Sequence, residues 1–262
     1  MALKKRHLIY LLCLFLCLFL CLLTSYSLAN DCNIRFKNAK EKVVWKWIYD
    51  GDTLKLQDGR KLRLIGINTP ELGKKEKPTQ PYAKKAKQKL KQILHRSKNL
   101  YLAYDQEQKD KYGRTLAYAF MPDGTDIQAR LIEAGLGISI IVPPNQANIT
   151  CYRKLEKIAR KQRKGLWKQT EFHPRSVADL KYKGAAYRLI EGEISSFKKR
   201  GKYVQMLLDG KFEVLISQSI VSRFGFDILQ KKGNRVRVRG WLKKYKKKLQ
   251  IKVFHPANIK FL

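Results

Sequence analysis

Apolar and polar positions alternate along the chain in a way that predicts short strands broken by three helices. Val43 to Ile48 and Leu62 to Ile67 are rich in β-branched and aliphatic residues, and Gly or Pro closes each run, so both read as strands. Between them Gln57-Asp58-Gly59-Arg60 has the composition of a hairpin turn. Ala83, Ala86, Leu90 and Ile93/Leu94 then recur at helical spacing through a lysine-rich segment. That spacing predicts a helix with a buried Ala/Leu stripe and lysines in water. Leu100 to Tyr104 and Thr115 to Met121 read as strands flanking the loop Asp110 to Arg114. Asp126 suits the N-cap of a helix over 127–134 that Gly135 ends. Tyr152, Leu155 and Ile158/Ala159 mark a last amphipathic helix, closed by Gly165-Leu166-Trp167, with Trp167 as a packing residue.

Periodicity then weakens. Thr170 to Ala186 contains Pro174 and Gly184 and reads as a linker with one helical turn. Three strands follow, Tyr187 to Ser195, Tyr203 to Leu208 and Phe212 to Ile216, separated by turns at Lys199-Arg200-Gly201 and Asp209-Gly210. A helical stretch, Ser219 to Gln230, precedes strands over Arg235 to Trp241 and Leu249 to Phe254. Three strands, a helix and two strands is the order of a five-stranded OB barrel. Alternation places Val236 and Val238 inside it and Arg235, Arg237 and Arg239 outside. Lys243 to Lys248 forms a basic hairpin tip around Tyr245. Such a tip suits backbone tracking with stacking on single-stranded nucleic acid, or a sheet edge guarded by lysines. His173 and His255 sit in no metal-ligand spacing and read as structural or solvent-facing.

The N-terminus adds a compartment to this picture. Lys4-Lys5-Arg6-His7 precedes an apolar run from Leu8 to Leu23, and Ser27-Leu28-Ala29 offers a small-residue cleavage site. The run is shorter than the ~20 residues that usually span a bilayer, which favours a cleaved signal peptide over an anchor. The expected division is therefore a signal peptide over 1–29, an extension over 30–42, a first domain over 43–169, a linker over 170–186 and a second domain over 187–262. Cys13, Cys17 and Cys21 fall in the leader, leaving Cys32 and Cys151 either as one disulfide of an oxidising compartment or as two free thiols. The expected location is periplasmic or secreted. The formal net charge of +35, of which the leader carries only three basic residues, implies a polyanionic partner. Nucleic acid and an anionic surface are the two candidates.

The chemistry gathers around Asp50-Gly51-Asp52-Thr53 and Arg63-Leu64-Ile65-Gly66-Ile67-Asn68-Thr69-Pro70-Glu71. These stretches put oxygen-bearing side chains and one arginine at strand ends, and hard oxygen donors suit Ca²⁺ or Mg²⁺ better than a soft metal. A third block, Asp110-Lys111-Tyr112-Gly113-Arg114, adds a second arginine. With Gly165-Leu166-Trp167, these four ordered blocks resemble the staphylococcal nuclease (thermonuclease) family over Val43 to Trp167.

The resemblance implies a mainly β fold with helices (α+β): a five-stranded OB-type barrel with three helices, followed here by a second small OB-like barrel. It also implies a metal-dependent, sugar-nonspecific phosphodiesterase acting on DNA and RNA. By that resemblance Asp52, Asn68 and the Thr69 carbonyl hold the metal, with Asp50 supporting them. Glu71 is the general base, and Arg63 and Arg114 bind the scissile phosphate. Lys111 and Tyr112 match a substrate-side pair. Calcium is the expected ion and the chain is expected to be a monomer without protein partners, touching a membrane only through an uncleaved leader.

Two positions depart from the family's best-known members. Asn68 stands where they carry aspartate, which lowers the negative charge and leaves Mg²⁺ or Mn²⁺ open as the preferred ion. Ile140-Ile141-Val142 stands where they place stacking tyrosines. A catalytically silent nucleic-acid-binding protein is the alternative reading.

Overall fold

The computed structural model describes Cys32 and residues 36–73, 78–182 and 184–262. The expected leader and its three cysteines lie outside the described residues. The first half runs β1 (Glu41–Ile48), β2 (Thr53–Leu56), β3 (Lys61–Leu64), β4 (Ile67–Asn68), α1 (Ala83–Leu94), β5 (Asn99–Ala103), β6 (Thr115–Phe120), α2 (Ile127–Glu133), β7 (Ile138–Ser139) and α3 (Ile149–Lys161). Five of its strands close a barrel in the order β1-β2-β3-β6-β5, with β3 and β6 parallel. Leu54, Leu56, Leu62, Leu64, Leu100 and Leu102 fill it. The α1 stripe is as expected: Ala83, Ala86, Leu90, Ile93 and Leu94 are buried. Asp126 caps α2 by accepting from the Ala129 N–H at 2.8 Å.

One local expectation is corrected and one element is added. Leu62 to Ile67 is not one strand, because Gly66 at φ 79° turns the chain between β3 and β4. A Cβ there would lie 2.8 Å from the Tyr152 ring, so glycine is also required for the close approach of α3. Thr53–Leu56, to which the sequence reading assigns no element, is a strand paired with both β1 and β3. Cys32 and Cys151 are disulfide-bonded, tying the segment before β1 to the first turn of α3 across 119 residues.

The second half comprises β8 (Arg175–Ser176), β9 (Ala186–Arg200), β10 (Tyr203–Leu208), β11 (Phe212–Ser217), β12 (Arg235–Tyr245), β13 (Lys248–Val253) and β14 (Ile259–Phe261). Because β12 also pairs with β9, the strands β9-β10-β11-β13-β12 form a second ring, with β11 and β13 parallel. Its strand order and its one parallel pair repeat those of the first barrel. The stretch read as a linker is partly docked: β8 pairs with β9, and Val177 is buried in the second core. The expected helix over Ser219 to Gln230 is two 3₁₀ segments, Gln218–Phe224 and Ile228–Lys231. Gly225, at φ 73°, separates them, and the Asp227 side chain caps the second by accepting from Leu229 N–H.

Arg239 lies outside the second barrel's core, as alternation predicts, but it does not face solvent. Arg239 is buried, and its guanidinium donates to both carboxylate oxygens of Glu156 on α3 at 2.9 and 2.8 Å and to the Ser139 carbonyl at 3.0 Å. Trp167 packs as expected, fully buried beside Leu166, Ile138 and Ile140, with Tyr187 of the second barrel in the same cluster. His173 bonds the Trp167 carbonyl and His255 caps a short 3₁₀ turn, so both are structural.

Candidate active site

The bend between β1 and β2 is drawn tightly against the segment after β4. Gly51 permits this: a Cβ there would stand 2.7 Å from Thr69 Oγ1 and 2.8 Å from the Ala86 Cβ of α1. Asp50 Oδ1 accepts from the Asp52 N–H at 3.0 Å, an Asx turn that fixes the bend. Asp52 is buried. Its Oδ2 accepts from the Thr69 N–H at 2.8 Å and from Thr69 Oγ1 at 3.0 Å, and its Oδ1 accepts from Thr53 Oγ1 at 3.0 Å. Arg63, on β3, closes the group with an ion pair to Asp52 Oδ2 at 3.3 Å. It also donates to the Leu64 carbonyl and, at 3.5 Å, to Asn68 Oδ1. Glu71 lies just beyond, exposed, with its backbone clamped by Gln80 through Glu71 N–H to Gln80 Oε1 and Gln80 N–H to the Glu71 carbonyl, both 3.0 Å.

The electrostatics of this group are strained toward negative charge. Burial, then the charge of Asp52 and that of Glu71, push the Asp50 carboxyl up to about 6 against the bond from Asp52 N–H. The donors available to a cation are oxygens only: carboxylates, the Asn68 amide oxygen and the Thr69 carbonyl. Among the described residues no three or more His, Cys, Asp or Glu converge as a metal cage. The set therefore fits a hard cation held partly by neutral oxygens and water. A cation there would also relieve the repulsion that raises Asp50.

A second cluster is built on Asp110. Its Oδ1 accepts from the Tyr112 and Arg114 N–H groups at 3.0 Å, and its Oδ2 accepts from Arg114 Nε at 2.7 Å. Burial alone would raise this carboxyl, but the bonds and charge of Arg114 hold it below the usual range. Tyr112 is exposed, with the Arg114 guanidinium 5.5 Å and the Lys111 ammonium 5.1 Å from its ring centre. The parallel pairing of Arg63 with Leu116 brings this loop beside the strand that carries Arg63.

Asp50, Asp52, Arg63, Asn68 and Thr69 thus form one bonded cluster with Glu71 at its margin. Lys111, Tyr112 and Arg114 form a second. Among the described residues no hydrogen bond or ion pair joins the two. Sequence reading missed Thr53, Gln80 and the anchoring role of Asp110. An Asp four residues before an Arg across a Gly turn is a usable signal for Asp110; Gln80 reaches Glu71 across a loop and leaves none.

The Staphylococcal nuclease homologue family model matches residues 61–169. The thermonuclease of Staphylococcus intermedius is 37% identical over 132 residues, covering 49% of this chain and 77% of that protein. The thermonuclease of Staphylococcus hyicus is 37% identical over 124 residues, 46% of this chain and 72% of the relative. Endonuclease YncB of Bacillus subtilis is 33% identical over 143 residues, 52% and 67% respectively.

Proposed function

The chain belongs to the staphylococcal nuclease homologue family, and from that premise we propose that it is a hydrolase of phosphodiester bonds. In this reading it acts on DNA and RNA alike, uses a divalent cation and works outside the cytoplasm. The observation that carries the proposal is the bonded group Asp52–Thr69–Arg63–Asn68 at strand ends of the first barrel. An exposed carboxylate, Glu71, follows two residues beyond it.

Arg63 and Arg114 would each offer N–H pairs to phosphate oxygens and stabilise charge that develops on them. Asp110 already holds Arg114 along its Nε edge, so that guanidinium need not be ordered by substrate. Glu71 would take a proton from the attacking water, its backbone held still by Gln80. Asp52, Asn68 and the Thr69 carbonyl would hold the cation, and Asp50 would fix the bend beneath them. A bound cation supplies neutralisation of the phosphate and polarisation of its oxygens. Export is supported by the apolar leader and by the Cys32–Cys151 disulfide, which suits an oxidising compartment.

The test is incubation of the chain with single- and double-stranded DNA and with RNA, in Ca²⁺, Mg²⁺, Mn²⁺ or EDTA. Cleavage that requires a metal and falls by at least about 100-fold in Glu71→Gln and Arg63→Ala is expected, the scale seen when a transition-state charge partner is removed. Salt-sensitive binding without cleavage in any metal would overturn it in favour of a silent binding protein. Asn68→Asp would then identify the missing charge, by restoring cleavage and tightening Ca²⁺ binding.

A further inference from the structure

The second barrel carries a groove of about 580 Å³ that the reaction does not use. Lys198 and Arg200 at the end of β9 and Gln205 on β10 form one bank. Tyr245 to Lys248, the tip of the β12–β13 hairpin, forms the other. Glu213 of β11 is the one acidic residue lining it among the described residues, and it is buried between two of the groove's own cations, Arg200 at 3.0 Å and Lys248 at 2.9 Å. Burial opposes its charge, but the bonds and charges of Lys248 and Arg200 prevail and hold the carboxyl below its usual range. Glu213, buried beneath them, therefore orders one cation of each bank, while Lys198, Lys246 and Lys247 remain to meet a ligand.

Position and chemistry agree. In a five-stranded OB barrel the face of the second and third strands, between the loop joining strands one and two and the loop joining four and five, receives oligonucleotides. In the ring β9-β10-β11-β13-β12 those loops are Gly201-Lys202, which follows the groove residue Arg200, and Lys246-Lys247, which itself lines the groove. The hairpin stands out from the ring: β12 pairs with β9 as far as Leu242 and β13 with β11 from Gln250 onward, so at the tip Lys244 and Tyr245 pair only with Leu249 and Lys248. Tyr245 is half exposed, and Lys246 keeps φ 53°, a conformation that turns normally give to Gly or Asn. A lysine is thus held at the tip despite its backbone cost. Farther along the same face Tyr203 meets Phe254 edge to face, with the Lys252 ammonium 5.3 Å from the Tyr203 ring.

We propose that this groove is a second binding site, for single-stranded nucleic acid, in which the lysines follow the phosphates and Tyr245 stacks on a base. It rests on the nucleic-acid reading of the whole chain and adds a site on the second barrel, where the candidate active site belongs to the first. The phosphate contacts make its affinity salt-dependent, and the aromatic makes it selective for strands with unpaired bases.

The experiment is fluorescence anisotropy of a labelled oligothymidylate with the full chain in EDTA, with the probe's length checked afterwards. K246E/K247E is expected to weaken binding at least tenfold at about 100 mM salt and to flatten the log Kd against log salt slope by roughly 1.4, about 0.7 for each phosphate contact. Tyr245→Ala is expected to weaken it roughly 5- to 100-fold. K232E/K260E, the same charge change on exposed lysines near the opposite end of β12, is expected to change it less than about threefold. Wild-type affinity in both hairpin variants overturns the groove, as does an equal loss in the control pair. So does loss of binding to phosphatidylglycerol vesicles with oligonucleotide binding intact, which reassigns the patch to an anionic membrane. Cleavage of a dinucleotide separates the two proposals. If no chain cleaves but hairpin-dependent binding persists, the nuclease reading fails and the groove stands. If cleavage persists and hairpin variants bind as wild type, the groove alone fails.

Discussion

At the scale of the residue, the candidate site depends on one missing side chain. Gly51 lets the Asp50–Asp52 bend lie against Thr69 and α1, and a Cβ would meet Thr69 atoms at 2.7 and 2.9 Å and Ala86 at 2.8 Å. Gly51→Ala must therefore push the bend away from Thr69, the partner of Asp52 Oδ2. Overpacking of this kind costs about 1–3 kcal/mol, and the displaced Asp52 should lower nuclease rate by more than tenfold. Urea unfolding and cleavage assays read the two effects, and wild-type values in both would refute this account of the bend. Most of the site was legible because its residues are local: Asp50, Asp52, Arg63, Asn68, Thr69 and Glu71 span 22 positions and announce themselves as polar groups at strand ends. The constraint on Gly51 was not, because Ala86 arrives from 35 residues away. The burial of Arg239 was hidden for a similar reason: alternation assigns it to the outer face of its barrel, and only the docked first domain reveals that α3 covers that face.

At the scale of the element, helix caps and stripes were readable while short paired strands were not. The α1 stripe and the Asp126 cap follow from spacing and cap chemistry that one helix contains in itself. β2, four residues long, and β4 and β7, two residues each, exist because partners pair with them. The cap at Asp126 has a further consequence. Its carboxylate is fully enclosed and bonded by Ala129 N–H, the Tyr152 hydroxyl and the Asn148 amide. Burial nevertheless outweighs these bonds and pushes the carboxyl up to about 7 from 3.8. Below pH 4 both folded and unfolded chains hold the proton and nothing is lost. Between about 4 and 7 the unfolded chain ionises while the folded chain does not, so this group's contribution to stability declines as pH rises and is gone above 7. Asp126→Asn keeps a cap oxygen without the titration. The variant should gain on the wild type by a few kcal/mol between pH 4 and 8, at about 1.4 kcal/mol per pKa unit. Urea midpoints of the two chains across that range check it, and parallel profiles would refute it.

At the scale of the molecule, the two barrels are docked on each other through polar groups beside the shared Trp167–Tyr187 cluster, and not merely tethered. Arg239 of β12 reaches across to Glu156 of α3 and the Ser139 carbonyl of β7, and Arg153 of α3 donates to Asn258 Oδ1 at 2.8 Å. Glu156 in turn accepts from the Ser139 N–H at 2.9 Å and its hydroxyl at 2.7 Å. Ser139 pairs with Ile67 and Ile138 with Asn68, so the second barrel braces the two-strand ladder that carries a candidate cation ligand. A buried ion pair adds little over an apolar replacement, but removal of one partner strands the other charge at about 3–5 kcal/mol. Arg239→Leu should therefore destabilise by that amount and split unfolding into two transitions as the barrels uncouple. Arg239→Leu/Glu156→Leu removes the stranded charge and should recover most of the stability. It cannot restore the bond to the Ser139 carbonyl or the acceptor for the Ser139 N–H, so nuclease rate and cation affinity should stay low in the double variant. Calorimetry beside metal-dependent cleavage separates the outcomes. Full activity in a refolded, stable double variant would mean that the second barrel only packs against the first, whereas low activity at restored stability would make Arg239 a positioning residue for the site on the other barrel.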